Sequence, residues 1–141
     1  MSLHTDNVFI AAIRSSSELM TAIGNRLYGT AIPVPEEDVI NEPIPYLIVM
    51  FDGLNNEGQT KDNPFEGDAD VVNISVLATA KTLDVLHGLT TMVRNVIKTY
   101  LIENDTEVED YVFSADAIQY DDLKPCYLQV LRYQCDTTAQ G

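Results

Sequence analysis

The sequence predicts an α+β domain in which a four-stranded, mainly antiparallel sheet carries two helices on one of its faces. Three observations favour this fold class. Apolar residues recur at helical spacing in two segments, one near the start of the chain and one after residue 82. Four other segments have the continuous or alternating apolar character of strands. One apolar sheet face could cover the apolar sides of both helices, which is the usual arrangement in α+β proteins.

The first helix is predicted to begin after Asp6 or Asn7, because either side chain can cap free N–H groups. Its apolar positions have helical spacing: Val8, Phe9, Ala12 and Ile13. The serines at 15–17 can end this helix and cap a second turn, since Glu18 follows Ser15 by three residues, as in a capping box. The apolar side then continues through Leu19, Met20, Ile23 and Leu27, with Gly24 as a C-terminal stop.

Residues 26–28 are predicted to form a short extended piece, and four prolines between 33 and 45 make the following stretch a connector. Residues 46–51 are apolar without interruption, which predicts a central strand buried on both faces. The polar segment 53–68 is a long connection, and such connections usually bind something or remain mobile. The next strand, 71–80, alternates, with its apolar face formed by Val72, Ile74, Val76 and Ala78.

The clearest helix starts at residue 83. Thr82 can cap it, and the negative charge of Asp84 interacts favourably with its positively polarised first turn. Its apolar side extends to Leu101. The acidic run after residue 103 is expected to be a solvated turn. Two strands, 111–120 and 126–135, then form an antiparallel hairpin around a five-residue loop.

The only two cysteines, Cys126 and Cys135, lie nine residues apart in one predicted strand. At about 3.3 Å per residue they are roughly 30 Å apart, far beyond the reach of a disulfide. We therefore expect both to be reduced and packed as small apolar side chains.

The chain has 141 residues with 8 basic and 22 acidic side chains, a formal net charge of −14. Its length suits one domain, and no repeat or linker divides residues 1–141. Such acidity repels phosphate backbones and anionic lipids, which argues against specific nucleic-acid binding and against a peripheral membrane protein. No apolar run approaches the roughly 20 residues that span a bilayer, and no secretory signal is recognisable, so we expect a cytosolic origin.

Catalytic and metal-binding patterns are weak. Of the two histidines, His4 lies near a terminus and His87 at the edge of a helix stripe, where a partly buried structural role is expected. Glu66, Asp68 and Asp70 alternate and could converge on a divalent ion, but solvated charge is the simpler interpretation. We predict no enzymatic activity, no cofactor and no metal site.

Acidic residues are concentrated in the predicted connectors rather than in the core elements. Four carboxylates lie between residues 36 and 42, five between 57 and 70, and eight between 103 and 122. These carboxylates serve solubility, or they line a surface where negative charge has a function.

The order of these elements resembles the small tail-completion, or tail-terminator, proteins of long-tailed bacteriophages and prophages. The resemblance covers most of the chain and depends on two stretches above all, Leu19-Met20-Thr21-Ala22-Ile23-Gly24-Asn25-Arg26-Leu27-Tyr28 and Pro45-Tyr46-Leu47-Ile48-Val49-Met50. The strand at 71–80, the helix from Leu83 and the closing hairpin continue it. A neighbouring head–tail joining protein fits the same pattern.

This resemblance implies a structural virion-assembly protein that forms a ring, commonly a homo-hexamer, and has no catalytic residues. Such a ring caps the tail tube, stops its polymerisation and helps join the tail to the head. The implied partners are other copies of the chain, the tail tube protein and head–tail connector proteins. The implied location is the host cytoplasm during assembly and then the virion tail.

A ring subunit needs loops that neighbouring subunits order, and the 53–68 segment supplies candidates. The predicted contact residues for the subunit or tail-tube interface are Leu54, Asn55, Asn56 and Phe65. Phe65 can instead fold back onto its own domain. The predicted lumen or loop carboxylates, which would let DNA slide without sticking, are Glu57, Asp62, Glu66 and Asp68.

The competing interpretation is an acidic, monomeric binding module of the immunity or adaptor type. Such a module would dock on a basic partner and use electrostatic attraction to speed association.

Overall fold

A computed structural model describes residues 2–29, 45–56, 69–122 and 125–138. It shows a mixed α+β fold, as predicted, with more elements than the sequence suggested. A 3₁₀ turn at Ser2–His4 precedes three helices, which are α1 (Asp6–Arg14), α2 (Ser17–Ala22) and α3 (Leu83–Glu103). The strands are β1 (Leu27–Gly29), β2 (Leu47–Asn56), β3 (Ala69–Ala80), β4 (Val108–Ala115), β5 (Gln119–Asp121) and β6 (Cys126–Thr138).

The six strands form one sheet in the order β1-β2-β3-β6-β4. β5 pairs with the start of β6 on the side that β4 occupies further along, because β3 pairs with the other side of β6 throughout. Only β1 and β2 run parallel; every other pair is antiparallel. The prediction of four strands is therefore wrong in number, while the mainly antiparallel character is confirmed.

The expected first helix is divided into α1 and α2 by its serines. Ser16 has an extended backbone, and its hydroxyl accepts a hydrogen bond from the Leu19 N–H at 3.2 Å. The predicted caps of α1, Asp6 and Asn7, are wrong. Thr5 occupies the cap position, but its hydroxyl donates instead to the Glu107 carboxylate at 2.9 Å. This contact ties the start of α1 to the segment that precedes β4.

The long helix α3 follows the sequence prediction closely. The Thr82 hydroxyl accepts a hydrogen bond from the Val85 N–H at 3.2 Å, so it is the cap. One side of the helix is buried through Leu86, Leu89, Val93 and Ile97. These residues join a single core between the helices and the sheet, into which β3 sends Val72, Ile74, Val76, Ala78 and Ala80.

Several strand boundaries differ from the prediction: β3 begins at Ala69 and β6 extends to Thr138, and β2 and β4 differ for reasons that the pairing shows. β2 continues to Asn56, because residues 53–56 pair with β3 instead of starting a loop. The register shifts between Phe51 and Gly53, which places a bulge at Asp52. The strand predicted at 111–120 begins at Val108 and is broken at 116–118, where the Asp116 N–H still donates to the Val130 carbonyl.

The centre of the core is an aromatic cluster around Tyr133 of β6. Its ring lies 5.0 Å from that of Phe9, 5.1 Å from that of Phe113 and 5.5 Å from that of Tyr111. Tyr133 is only 1% exposed, and its hydroxyl has no hydrogen-bond partner among the described residues. Burial raises the pKa of this hydroxyl far above its ordinary value, so the group stays neutral.

Replacing Tyr133 by phenylalanine should therefore stabilise the protein by about 1 kcal/mol, because it removes a buried polar group that forms no hydrogen bond within the described part of the chain. Urea denaturation of the two proteins would measure the change. Tyr111→Phe is the control, since Tyr111 is only partly buried in the same cluster and should change little. A clear loss of stability in Tyr133→Phe would show that the hydroxyl does have a partner.

Candidate interaction surfaces

The histidines, cysteines and acidic side chains considered as catalytic or metal-binding groups do not form a site in the described residues. His4 and His87 are both exposed, so the expectation of a partly buried His87 is wrong. Cys126 and Cys135 are both buried and reduced, as predicted. Burial raises the pKa of the Cys135 thiol to about 12, which keeps it protonated and unreactive. Within the described ranges, no group of three His, Cys, Asp or Glu side chains is placed to hold a metal ion.

The predicted contact residues are only partly within the described chain. The bulge at Asp52 turns Leu54 to the helix side of the sheet, where it is partly buried against the core. Asn55 is exposed on the opposite face, and Asn56 pairs with Asp70. Phe65 and the predicted lumen carboxylates lie outside the described residues: Glu57, Asp62, Glu66 and Asp68.

The face of the sheet away from the helices carries an apolar patch that the sequence analysis did not identify. Ile48 of β2 stands opposite Leu77 of β3, which stands opposite Val130 of β6. Met50 follows Ile48 by two residues and Leu128 precedes Val130 by two, so both lie on the same face of the sheet. These five residues, here called the apolar patch, are all partly buried, and none of them is charged. The predicted burial of β2 on both faces is thus only partial.

Next to the apolar patch lies a cleft of about 350 Å³ with a mixed lining: Asp52, Asn73, Ser114, Arg132 and Gln134 are polar, and Ile74, Val112 and Tyr133 are apolar or aromatic. The Arg132 guanidinium donates two hydrogen bonds to the Asp116 carboxylate, at 2.9 and 2.7 Å. This pairing lowers the pKa of Asp116 below its usual range and raises that of Arg132. The pair holds the guanidinium in place on this face of the sheet. Because both side chains are exposed to solvent, the pair adds little stability.

Negative charge collects at one end of the same face. Asp110 of β4 stands opposite Asp136 of β6, and both are exposed. Like charges directly opposite each other on neighbouring strands are destabilising. This is the end of the sheet where β2 ends and β3 begins. Acidic residues are therefore not confined to connectors, since Asp70, Glu109 and Asp110 all belong to strands.

None of these three surface features could be found from the local sequence pattern alone. The odd positions of 71–79 mix apolar and small polar side chains, which is the signal of a face that is covered only in part. That signal does not reveal which residues of β2 and β6 lie beside them, because register depends on pairing between distant segments.

Comparison with known proteins shows similarity in fold but not in sequence. No protein-family model matches the chain, and no curated protein matches it by sequence. A chain of the virion of a native gene transfer agent particle shares the fold with a TM-score of 0.55 at 9% identity, covering 94% of both chains. The gp17 protein of bacteriophage SPP1 does so with a TM-score of 0.50 at 12% identity, covering 99% of this chain and 93% of that one.

None of the helices in the described part of the chain has both the length and the apolar character that crossing a bilayer requires.

Proposed function

We propose that this protein is a structural component of a phage-type virion, a tail terminator that assembles as a homo-hexameric ring, caps the tail tube and helps join the tail to the head. The observation that carries the proposal is the fold, shared over almost the whole chain with a gene transfer agent virion chain and with a bacteriophage protein. The order of sequence elements, which resembles tail-terminator proteins, points the same way.

The apolar patch is the part of the described surface best suited to contact a neighbouring subunit. Copies that each carry a net charge of −14 repel one another, so their association needs apolar burial to offset the repulsion. Ile48, Leu77 and Val130 supply uncharged surface in the middle of a rigid sheet. We assign this patch to the contact between subunits of the ring.

The acidic end of the helix-free face, with Asp110 and Asp136, is assigned to the lumen side of the ring. The carboxylates of the 57–68 segment, which connects β2 to β3, belong to the same assignment. A negative lumen would repel DNA phosphates and let a genome pass without binding. A structure of the assembled ring with a lumen lined by Lys and Arg would contradict this part of the proposal.

The partners in this role are the tail tube protein, on which the ring sits, and head–tail connector proteins on its other side. The protein would be made in the host cytoplasm and finish in the virion tail. Its action is structural, through binding surfaces alone.

The test is the mass of the assembly. Native mass spectrometry and light scattering should find a hexamer, either for the protein alone or after addition of the tail tube protein of the same phage or prophage. Electron microscopy should then show a ring at the end of tubes. A protein that stays monomeric with and without tubes, and that binds a basic protein in a salt-sensitive manner, would favour the acidic binding module instead.

A further inference from the structure

A second surface, on the helical side of the molecule, has the features of a docking groove. This groove of about 760 Å³ follows α3 from Gly88 to Asn104, and the corner between α1 and α2 forms its other wall. At 1.5 Å per residue that distance is about 24 Å, or more than four helical turns. The groove therefore has the length that a helix of about 16 residues would cover.

The base of the groove is apolar. Met92, Val96 and Tyr100 line it and also pack against the core, so they are partly buried and rigidly held. Hydroxyl and amide side chains flank them, among them Thr91 and Asn95. An apolar base with polar walls matches the cross-section of an amphipathic helix, whose apolar side needs cover and whose flanks need hydrogen-bonding groups.

The charge of the groove is of one sign. Among its described lining residues, the charged ones are Glu18 at the corner and Glu103 at the end of α3, with no lysine or arginine. Carboxylates at two points along an apolar groove attract an occupant with lysine or arginine on the flanks of its apolar side. An occupant with acidic flanks would be repelled.

Two lining residues are unfavourable choices for α3 itself. Gly88 lies inside the helix, where glycine is less stable than alanine, and a Cβ added there would meet nothing within 4 Å. Packing within the described chain therefore does not require a glycine. Glu103 lies at the negatively polarised end of α3, in a last turn without basic residues. Departures from local helix rules are expected where a binding role outweighs them, and both occur in this groove.

We propose that this groove binds a basic amphipathic helix of a partner protein. The apolar side of that helix would cover Met92, Val96 and Tyr100, and its backbone would pass closely over Gly88. Its cationic flanks would lie near Glu18 and Glu103. The proposal does not depend on ring formation, because the groove is on the opposite side of the sheet from the apolar patch.

The proposal can be tested with a yeast-displayed library of 16-residue amphipathic helices against the full chain. The apolar positions of the library are fixed, and the flanking positions vary over Lys, Gln and Glu. We expect lysine-rich members to be enriched, with binding that weakens as salt increases. Gly88→Gln should lower their affinity about tenfold or more, because its side chain occupies the space a partner backbone needs.

Stability separates loss of docking from loss of folding. Gly88→Gln should raise the melting temperature by roughly 2–3 °C, since glutamine is the better helix former. A variant that is more stable but binds less well indicates a blocked surface. Glu18→Gln and Glu103→Gln should each lower affinity about two- to fivefold at low salt.

Glu109→Gln and Asp122→Asn are the matched controls. They change the net charge equally at exposed positions outside the groove and should leave affinity unchanged. The proposal fails if no library member is enriched over the yeast surface, or if the enriched members are glutamate-rich. It also fails if Gly88→Gln binds them as well as the unmodified protein. Any of these outcomes would leave the ring proposal standing, since that is tested by assembly mass.

Discussion

Replacing Leu77 by lysine should leave the subunit folded and abolish the proposed assembly into a ring. Leu77 is the middle residue of the apolar patch, between Ile48 and Val130 on neighbouring strands. In the free subunit the lysine can extend its ammonium group into solvent from a partly buried position, so the loss of stability should be about 1 kcal/mol. Against a neighbouring subunit the same ammonium would be buried without a partner, which costs several kcal/mol.

Native mass spectrometry, with tail tube protein present where assembly requires it, would measure the effect as a change from hexamer to monomer. Thermal unfolding by circular dichroism would show that the variant remains folded. His87→Lys is the matched control, because it adds the same charge at an exposed position on α3, away from the sheet. Leu77→Ile should also assemble normally. If Leu77→Lys forms hexamers as readily as His87→Lys, the apolar patch is not the subunit contact.

Replacing Phe9 by alanine should destabilise the protein by about 3–5 kcal/mol, the range expected for removing a fully buried aromatic ring. Phe9 is 0% exposed, and its ring packs 5.0 Å from that of Tyr133. Its loss would leave a cavity between α1 and β6 that the rigid sheet cannot close. Since total stability for a domain is about 5–15 kcal/mol, the variant should be near the limit of folding.

Urea denaturation would show this loss as a lower midpoint concentration, while the slope of the unfolding free energy against urea concentration stays unchanged. Val8→Ala is the control within the same helix, because Val8 is only partly buried against the core. It should cost about 1 kcal/mol. Equal losses for the two variants would mean that α1 does not insert Phe9 into the aromatic cluster.

The elements with strong local signals were predicted correctly. Helix α3 has a capping threonine at 82 and four buried positions at helical spacing. β3 buries the predicted apolar face, Val72, Ile74, Val76 and Ala78. The weak elements were predicted less completely, because they depend on context. Residues 26–28 were predicted only as a short extended piece, since three residues are too few for a periodic pattern, and β1 joins the sheet by pairing with β2. Asn55 and Asn56 are typical of turns, but β3 supplies hydrogen-bonding partners that keep them in a strand.

The predicted contact residues depend on the pairing of the strands. Leu54 is one of them, and a one-residue bulge at Asp52 turns it to the helix side of the sheet, where it is partly buried against the core. A bulge is a property of two paired strands, so the sequence of β2 alone could not predict its position. The roles of Phe65 and of the carboxylates between 57 and 68 stay predictions.

By itself, the sequence determined the properties that depend on near neighbours in the chain. These are the helix at 83, the alternation of β3, the unbridged cysteines within one strand and the net charge of −14. The tertiary structure decided which distant residues meet. Ile48, Leu77 and Val130 form one patch only because two antiparallel registers align them, and Glu18 faces the same groove as Glu103 only because the corner of α1 and α2 packs beside α3. Periodicity records which side of an element is apolar, whereas register and packing between elements depend on the free energy of the whole fold.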